Sequence, residues 1–222
     1  MDHRLFGFFS GFPGKSFPYE IAERLREELL KRDSFVCVSA WPADYERNDI
    51  DLTNMHGLFE EYNMPFTRQN VIDNRTETSH AIRLIHEASC VFLMGGYPKL
   101  QSELMCNRNL NVAIRNADAV VLGLSAGSIN MAIRALDTKE SPTPYDGLGL
   151  ADITVKPHFE LDNQQVLSTL LRISMELPIC AMEDNSAIFV AGDNISHTGQ
   201  IHWVSKGKIC PLSQEHLRIR ND

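Results

Sequence analysis

Residues 119–131, AVVLGLSAGSINM, restrict what this chain can fold into more than any other stretch. An apolar run with β-branched residues meets a serine flanked by small residues, and the segment beyond it, through Ile129, Ala132 and Ile133, continues at helical spacing. That reads as a strand, a tight turn and a helix, with Ser125 at the turn. The spacing Gly123-Leu-Ser125-Ala-Gly127 matches G-x-S-x-G, in which small flanking residues let a strained backbone hold a serine hydroxyl out at the strand's carboxyl end. The bland alternative is a small-residue turn with no chemistry in it, so the rest of the chain has to decide.

The segments before it share one rhythm. Residues 5–10 form an apolar strand, followed by the loop Gly11-Phe-Pro-Gly14 and a helix with Ser16 as its cap and Ile21, Leu25 and Leu29 as its stripe. Residues 35–40 read as a second strand. Leu52, Met55, Leu58, Phe59 and Tyr62 then recur at helical spacing, and residues 66–72 supply a third strand. Thr76 opens a helix carrying Ala81, Ile82 and Ile85, and residues 90–94 form a strand that runs into Gly95-Gly96. Residues 98–117 read as mostly helical, with Asn107, Asn109 and Asn111 as potential breaks. Strands that are continuous apolar runs, alternating with helices, imply a parallel sheet covered on both faces, whose sites gather at the strands' carboxyl ends.

Beyond the serine the texture changes. SPTPYDGLG reads as a turn-rich loop, residues 153–157 as a strand ending at His158, and Val166, Leu167, Leu170 and Leu171 as a helix stripe. ICAM, SAIFVA, QIHWV and KICPL, separated by short polar turns, read as a small antiparallel meander. With no internal repeat or linker, residues 1–222 are expected to form one α/β domain: a three-layer sandwich with a mostly parallel central sheet and that meander at its C-terminal end.

Composition mainly excludes. The formal charge of −8, with no local cluster of Lys and Arg, disfavours a nucleic-acid partner. No apolar run is long enough to span a bilayer and the first residues lack a signal-peptide layout, so a cytoplasmic protein without membrane contact is expected. The five cysteines are widely spaced with no C-x-x-C, three of them within apolar runs, and are expected as reduced core residues. Gly14-Lys15-Ser16 mimics the end of a phosphate-binding P-loop, but the glycine that motif needs five positions earlier is Phe9.

An elbow serine is a poor nucleophile until a base takes its proton and a carboxylate orients that base. Among eight histidines, His3, His197 and His216 sit in terminal or turn segments, His56, His80 and His86 in polar-rich helices where a solvated ring needs no explanation, and His202 mid-strand. His158 differs. It stands at a strand end directly after Pro157, which fixes the backbone as it leaves the sheet. The acid candidates are Glu140 and Asp146 after the elbow helix and Glu183 or Asp184 after ICAM. For the oxyanion, backbone amides are available from Ala126 and from Gly95-Gly96, with Gly96 favoured.

CVFLMGG, VVLGLSAGS, YDGLGL, VKPHF and EDNSAIFVAGD, in this order across residues 90–212, resemble the dipeptidase E and cyanophycinase family of serine peptidases. The resemblance implies a class I glutamine amidotransferase-like fold and a serine-type peptidase that needs no cofactor or metal. It makes Ser125 the nucleophile, His158 the base and Asp184 the acid, with Glu183 as substitute and Glu140 nearest to an older assignment in the family. It also implies a small-peptide substrate, and a homodimer is allowed. Three features depart from the family pattern: Asp184 stands where the family usually has the longer glutamate, Gly95-Gly96-Tyr97-Pro98 replaces G-G-N-T-F, and the arginine that selects an N-terminal aspartate has only Arg172 as a candidate, so aspartyl specificity does not carry over. A non-catalytic member of the same fold is the competing reading. An amidotransferase is weaker still, since that chemistry uses cysteine where Ser125 stands.

Overall fold

The computed structural model describes residues 4–138 and 141–218. Four apolar runs become β1 (Leu5–Phe9), β2 (Ser34–Val38), β4 (Cys90–Leu93) and β5 (Val120–Leu124), and the more polar RQNVI becomes β3 (Arg68–Ile72), at the edge of the sheet and buried only at its end. They are parallel neighbours in the order β1-β5-β4-β2-β3, in register Phe6↔Val121, Val91↔Val121, Val36↔Val91 and Cys37↔Val71. Because side chains alternate along a strand, the sheet feeds two cores. Phe8, Val36, Val38, Val91 and Leu93 pack into one, and Phe9, Phe35, Cys37, Phe92 and Leu122 into the other.

The helices sort onto those faces. Against the phenylalanine-rich core lie α1 (Tyr19–Glu28) through Ile21 and Leu25, and α2 (Tyr45–Glu60) through Leu58 and Phe59. The other face takes α3 (Thr78–His86), α4 (Pro98–Asn107), α5 (Leu110–Asn116) and α6 (Ala126–Met131). The result is the expected three-layer α/β sandwich with a mostly parallel sheet. Asn109, in the left-handed region at φ 55°, separates α4 from α5, the conformation asparagine tolerates better than other residues with a Cβ.

Two expected caps do not act as caps. α1 starts at Tyr19 behind Pro18, whose carbonyl takes the Ile21 and Ala22 amides, while the Ser16 hydroxyl lies within hydrogen-bond reach of Tyr62. Thr76 lies before the start of α3; its hydroxyl donates to the Val71 carbonyl and closes the preceding turn. The elbow helix also ends earlier than its apolar spacing implied. The amides of Leu148, Gly149 and Leu150 donate to the carbonyls of Asn130, Ala132 and Met131, so α6 is capped from outside at Met131. A side chain on Gly147 would sit 2.1 Å from the Ala132 carbonyl oxygen, which explains the glycine of that loop.

The C-terminal third departs most from expectation. SPTPYD is not a loop but β7 (Ser141–Asp146), paired antiparallel with β6 (Arg134–Asp137); in a two-stranded ribbon Pro142 and Pro144 can face away from the partner. The expected meander is divided between two sheets. β10 (Ala187–Ala191) runs antiparallel beside β1 and is flanked by β11 (Asn194–Thr198), extending the central sheet to seven strands. β8 (Val155–Lys156), β9 (Ile179–Met182), β12 (Ile201–Ser205) and β13 (Lys208–Pro211) form a separate four-stranded sheet packed on α7 (Gln164–Ile173), and α8 (Gln214–Arg218) follows. Consecutive strands β9 and β10 thus belong to different sheets, and the turn between them arrives at the carboxyl end of β1. No helix among the described residues is long and apolar enough to cross a membrane.

All five cysteines are free, but only Cys37, Cys90 and Cys180 are core residues; Cys106 and Cys210 are exposed, correcting the expectation for those two. Burial pushes the Cys37 and Cys90 thiols well up, so they stay protonated and unreactive. A disulfide reagent should therefore titrate two thiols in native buffer and five after denaturation. A third native thiol would show that the sheet core opens.

Candidate active site

The elbow is built by close approach. A Cβ on Gly127 would lie 2.0 Å from the Leu93 carbonyl oxygen, and one on Gly123 would lie 2.6 Å from the Gly127 carbonyl carbon. No larger residue lets the first turn of α6 sit this close to β4 and β5. Between them Ser125 has φ 51° and ψ −105°, a conformation that costs a residue with a Cβ about 1–3 kcal/mol. Its amide donates to the Phe9 carbonyl at 3.0 Å. The buried Ser128 hydroxyl, at 2.8 Å, accepts from the Phe9 amide. Both bonds tie the strained turn to the end of β1.

His158 follows β8 and reaches the same sheet edge from the second sheet. Its Nε2 lies 2.8 Å from Ser125 Oγ, and its Nδ1 lies 2.7 Å from Asp184 Oδ1. A carboxylate can only accept, so Nδ1 carries the ring proton and Nε2 is left to accept the serine hydroxyl. His158 too is in the left-handed region, at φ 52°. Asp184 sits in the β9–β10 turn, where Asn185 at φ 62° sends its amide to the Gly11 carbonyl at 2.7 Å. The turn is brought so close that an aspartate, shorter than the family's usual glutamate, spans the gap.

The other predicted residues separate clearly. Glu183, adjacent to Asp184, points away from His158: its Oε1 is 2.7 Å from Nε2 of the buried His202. Glu140 and His3 lie outside the described residues, and Asp146 pairs with Arg134 in the ribbon. Ala126 opens α6 directly after the serine and is buried. Gly95 is adjacent to the serine as well, a Cβ on it falling 3.6 Å from Ser125 Cβ. Gly96 has φ 142° and lies against the Trp41 indole, where a Cβ would approach Nε1 to 2.3 Å. Arg172 is exposed in the last turn of α7 and does not line the cavity around Ser125. His56 is not the solvated residue its helix suggested: it is buried, and its Nε2 accepts the Phe66 amide at 2.9 Å. His197 lies in β11 rather than in a turn, and partial burial lowers its pKa.

Ser125 and His158 open onto a cavity of about 450 Å³, in the range of small-molecule sites. Trp41 and Tyr97, edge to face at 4.5 Å, form one wall. Asp137 and Lys156, both largely buried, put one negative and one positive charge on its lining. A larger cleft, about 910 Å³, lies at the amino ends of β1, β4 and β5 between residues such as Asp33, Ser89 and Asp118, away from the serine and histidine. Among the described residues no group of His, Cys, Asp and Glu is arranged to hold a metal ion. Ser10, Gly11, Trp41 and Lys156 were not singled out from sequence. Only the glycine after β1 carried a local signal, and its meaning depends on which strands neighbour β1.

The sequence model of peptidase family S51 matches residues 48–198. In structure the chain is similar to a peptidase from an acI-B1 Actinobacterium, with a TM-score of 0.74 and 15% identity over 96% of this chain and 95% of that one. It is also similar to a protein of Listeria monocytogenes EGD-e assigned as a peptidase E, with a TM-score of 0.65 and 16% identity over 88% and 98% of the two chains. At these identities the structural likeness is one of fold. No curated protein matches the chain significantly in sequence.

Proposed function

Because the chain belongs to peptidase family S51, the dipeptidase E family, we propose that it hydrolyses short peptides through a triad of Ser125, His158 and Asp184. The observation that carries the reading is the unbroken chain of hydrogen bonds from Ser125 Oγ through the imidazole to Asp184. Ser125 Oγ attacks the scissile carbonyl carbon while His158 Nε2 takes the hydroxyl proton. Asp184 holds the ring in the required tautomer and stabilises the imidazolium that forms. The tetrahedral oxyanion develops toward the amides of Ala126 and Gly96, and His158 returns the proton to the leaving amine. A water molecule, deprotonated by the same nitrogen, then attacks the acyl-enzyme carbonyl and frees Ser125.

Two features support a short substrate. The cavity is small, about 450 Å³, and Trp41 and Tyr97 close one side of it. Arg172, the candidate for the arginine that would select an aspartate, lies outside it. The competing reading, a non-catalytic member of the same fold, is motivated by the shorter acid and the missing selector arginine; the 2.7 Å contact of Asp184 with His158 speaks against the first of these.

The direct test is a fluorophosphonate probe, whose phosphorus is attacked by an activated serine with loss of fluoride. Peptide mapping should find the label on Ser125, and a dipeptide and tripeptide panel should contain substrates whose cleavage the probe blocks. Wild-type protein that stays unlabelled, with no peptide cleaved differently by wild type and Ser125→Ala, would overturn the reading.

A further inference from the structure

The carboxyl end of β1 carries a fully buried hydroxyl that the chemistry above does not use. Ser10 Oγ accepts a hydrogen bond from the His158 backbone amide at 2.8 Å. Its own proton has two acceptors in reach, the Met182 carbonyl at 3.0 Å and Asp184 Oδ1 at 3.4 Å. The Ser10 amide donates to the Ser186 carbonyl at 3.1 Å, beyond the acid in the same turn. One serine therefore touches the residue that supplies the base, the strand end that precedes the acid, and the acid.

The neighbouring contacts close this arrangement into a frame. Phe159 donates its amide to the Met182 carbonyl at 2.9 Å, so the left-handed turn at His158 hangs on two adjacent bonds, one to Ser10 and one to the carbonyl that Ser10 also reaches. At Gly11 a Cβ would lie 2.4 Å from His158 Cε1 and 2.5 Å from Asp184 Oδ1, which means the imidazole–carboxylate pair rests directly on the backbone just beyond β1. His158 and Asp184 belong to elements that reach the site from the second sheet. Their register with Ser125, on the first sheet, has to be set where the sheets meet.

We propose that Ser10 is the positioning residue that sets this register, holding His158 and Asp184 against each other and against the elbow. The inference rests on the reading of Ser125, His158 and Asp184 as a triad. A hydroxyl suits the task because it accepts from one partner while donating to another, and its proton can swing between Met182 and Asp184 without moving the backbone. Without it the His158 amide loses its partner in a partly buried place, and the strained turn is free to relax toward an ordinary φ. The ring nitrogens then leave the line between Ser125 and Asp184.

The test compares wild type with Ser10→Ala in two measurements: the rate of fluorophosphonate labelling, which needs no known substrate, and the downfield proton NMR signal of the His158 Nδ1–H bonded to Asp184. Misplacement of a catalytic group by about 1 Å costs on the order of 100-fold, so S10A should label about 10- to 100-fold more slowly, with unchanged circular dichroism. Its downfield signal should be lost or moved upfield, which a general loss of stability would not do to a protein that remains folded. Labelling within twofold of wild type overturns the inference, as does slowed labelling with the signal in its wild-type position. If S10A does not fold, Ser10→Cys, with a weaker acceptor and donor in the same place, takes over the comparison: slowed labelling supports the role and a wild-type rate overturns it. A wild-type protein that fails to label overturns the triad reading itself, an outcome distinct from both.

Discussion

Ser125→Ala should lower peptide turnover by about 10⁶-fold, roughly 8 kcal/mol of transition-state stabilisation, while leaving the fold intact. The size follows from the way triad members act as a unit. Once the attacking oxygen is gone, His158 and Asp184 have nothing to activate, and only binding and the oxyanion amides remain. The fold should survive because alanine occupies the same strained conformation at φ 51° and the bonds that hold the elbow are made by backbone atoms and Ser128 rather than by Ser125 Oγ. Thermal denaturation should place the two proteins within a few degrees of each other. Ser125→Gly, which relieves the positive φ, should be the more stable of the two variants by up to about 1 kcal/mol, equally inactive. Residual turnover within about tenfold of wild type in Ser125→Ala would mean that another group attacks the carbonyl.

What could be read from sequence divides along a physical line. Strands buried on both faces, such as residues 90–93 and 120–124, announce themselves as continuous apolar runs because nothing else can occupy those positions. β11, with the sequence NISHT, and β7, with SPTPYD, do not, since an edge strand or ribbon can be polar on one face and can hold proline. The assignment of β9 and β10 to different sheets was equally hidden. ICAM and AIFVA are both short apolar runs, and only the presence of β1 beside β10 separates them.

The site divides in the same way. Ser125 and His158 carry local signals, glycines around one and a proline before the other, because each sits where the chain must bend sharply. Ser10 looks like the end of any strand, and Gly11 like the opening of any glycine loop. Their roles exist only because β10 and the turn at Asp184 fold back over β1. The choice between Glu183 and Asp184 was hidden for a related reason: adjacent side chains in a turn point to different sides, and which side faces His158 is set by the pairing of β10 with β1 rather than by either residue.

That choice yields the second large effect. Asp184→Asn should lower turnover by about 10⁴-fold with substrate binding little changed, and Glu183→Gln should stay within a few-fold of wild type. In wild type the Asp184 carboxylate accepts the Nδ1 proton at 2.7 Å and leaves Nε2 free to take the Ser125 proton. An asparagine that turns its amide nitrogen toward the ring donates to Nδ1 and drives the proton to Nε2, the tautomer that cannot act as base. Even when its oxygen faces the ring it brings no charge to stabilise the imidazolium. Glu183, by contrast, bonds His202 on the far side of the turn. Glutamine can keep a neutral hydrogen bond there, so its loss of charge reaches His158 only through the backbone of the turn. Asp184→Glu should also be impaired, since a longer side chain has to fit between His158 and Gly11, where even a methyl group on the glycine would collide with the carboxylate. Steady-state kinetics and fluorophosphonate labelling of the three variants decide the matter: if Glu183→Gln is as slow as Asp184→Asn, the acid has been placed on the wrong side of the turn.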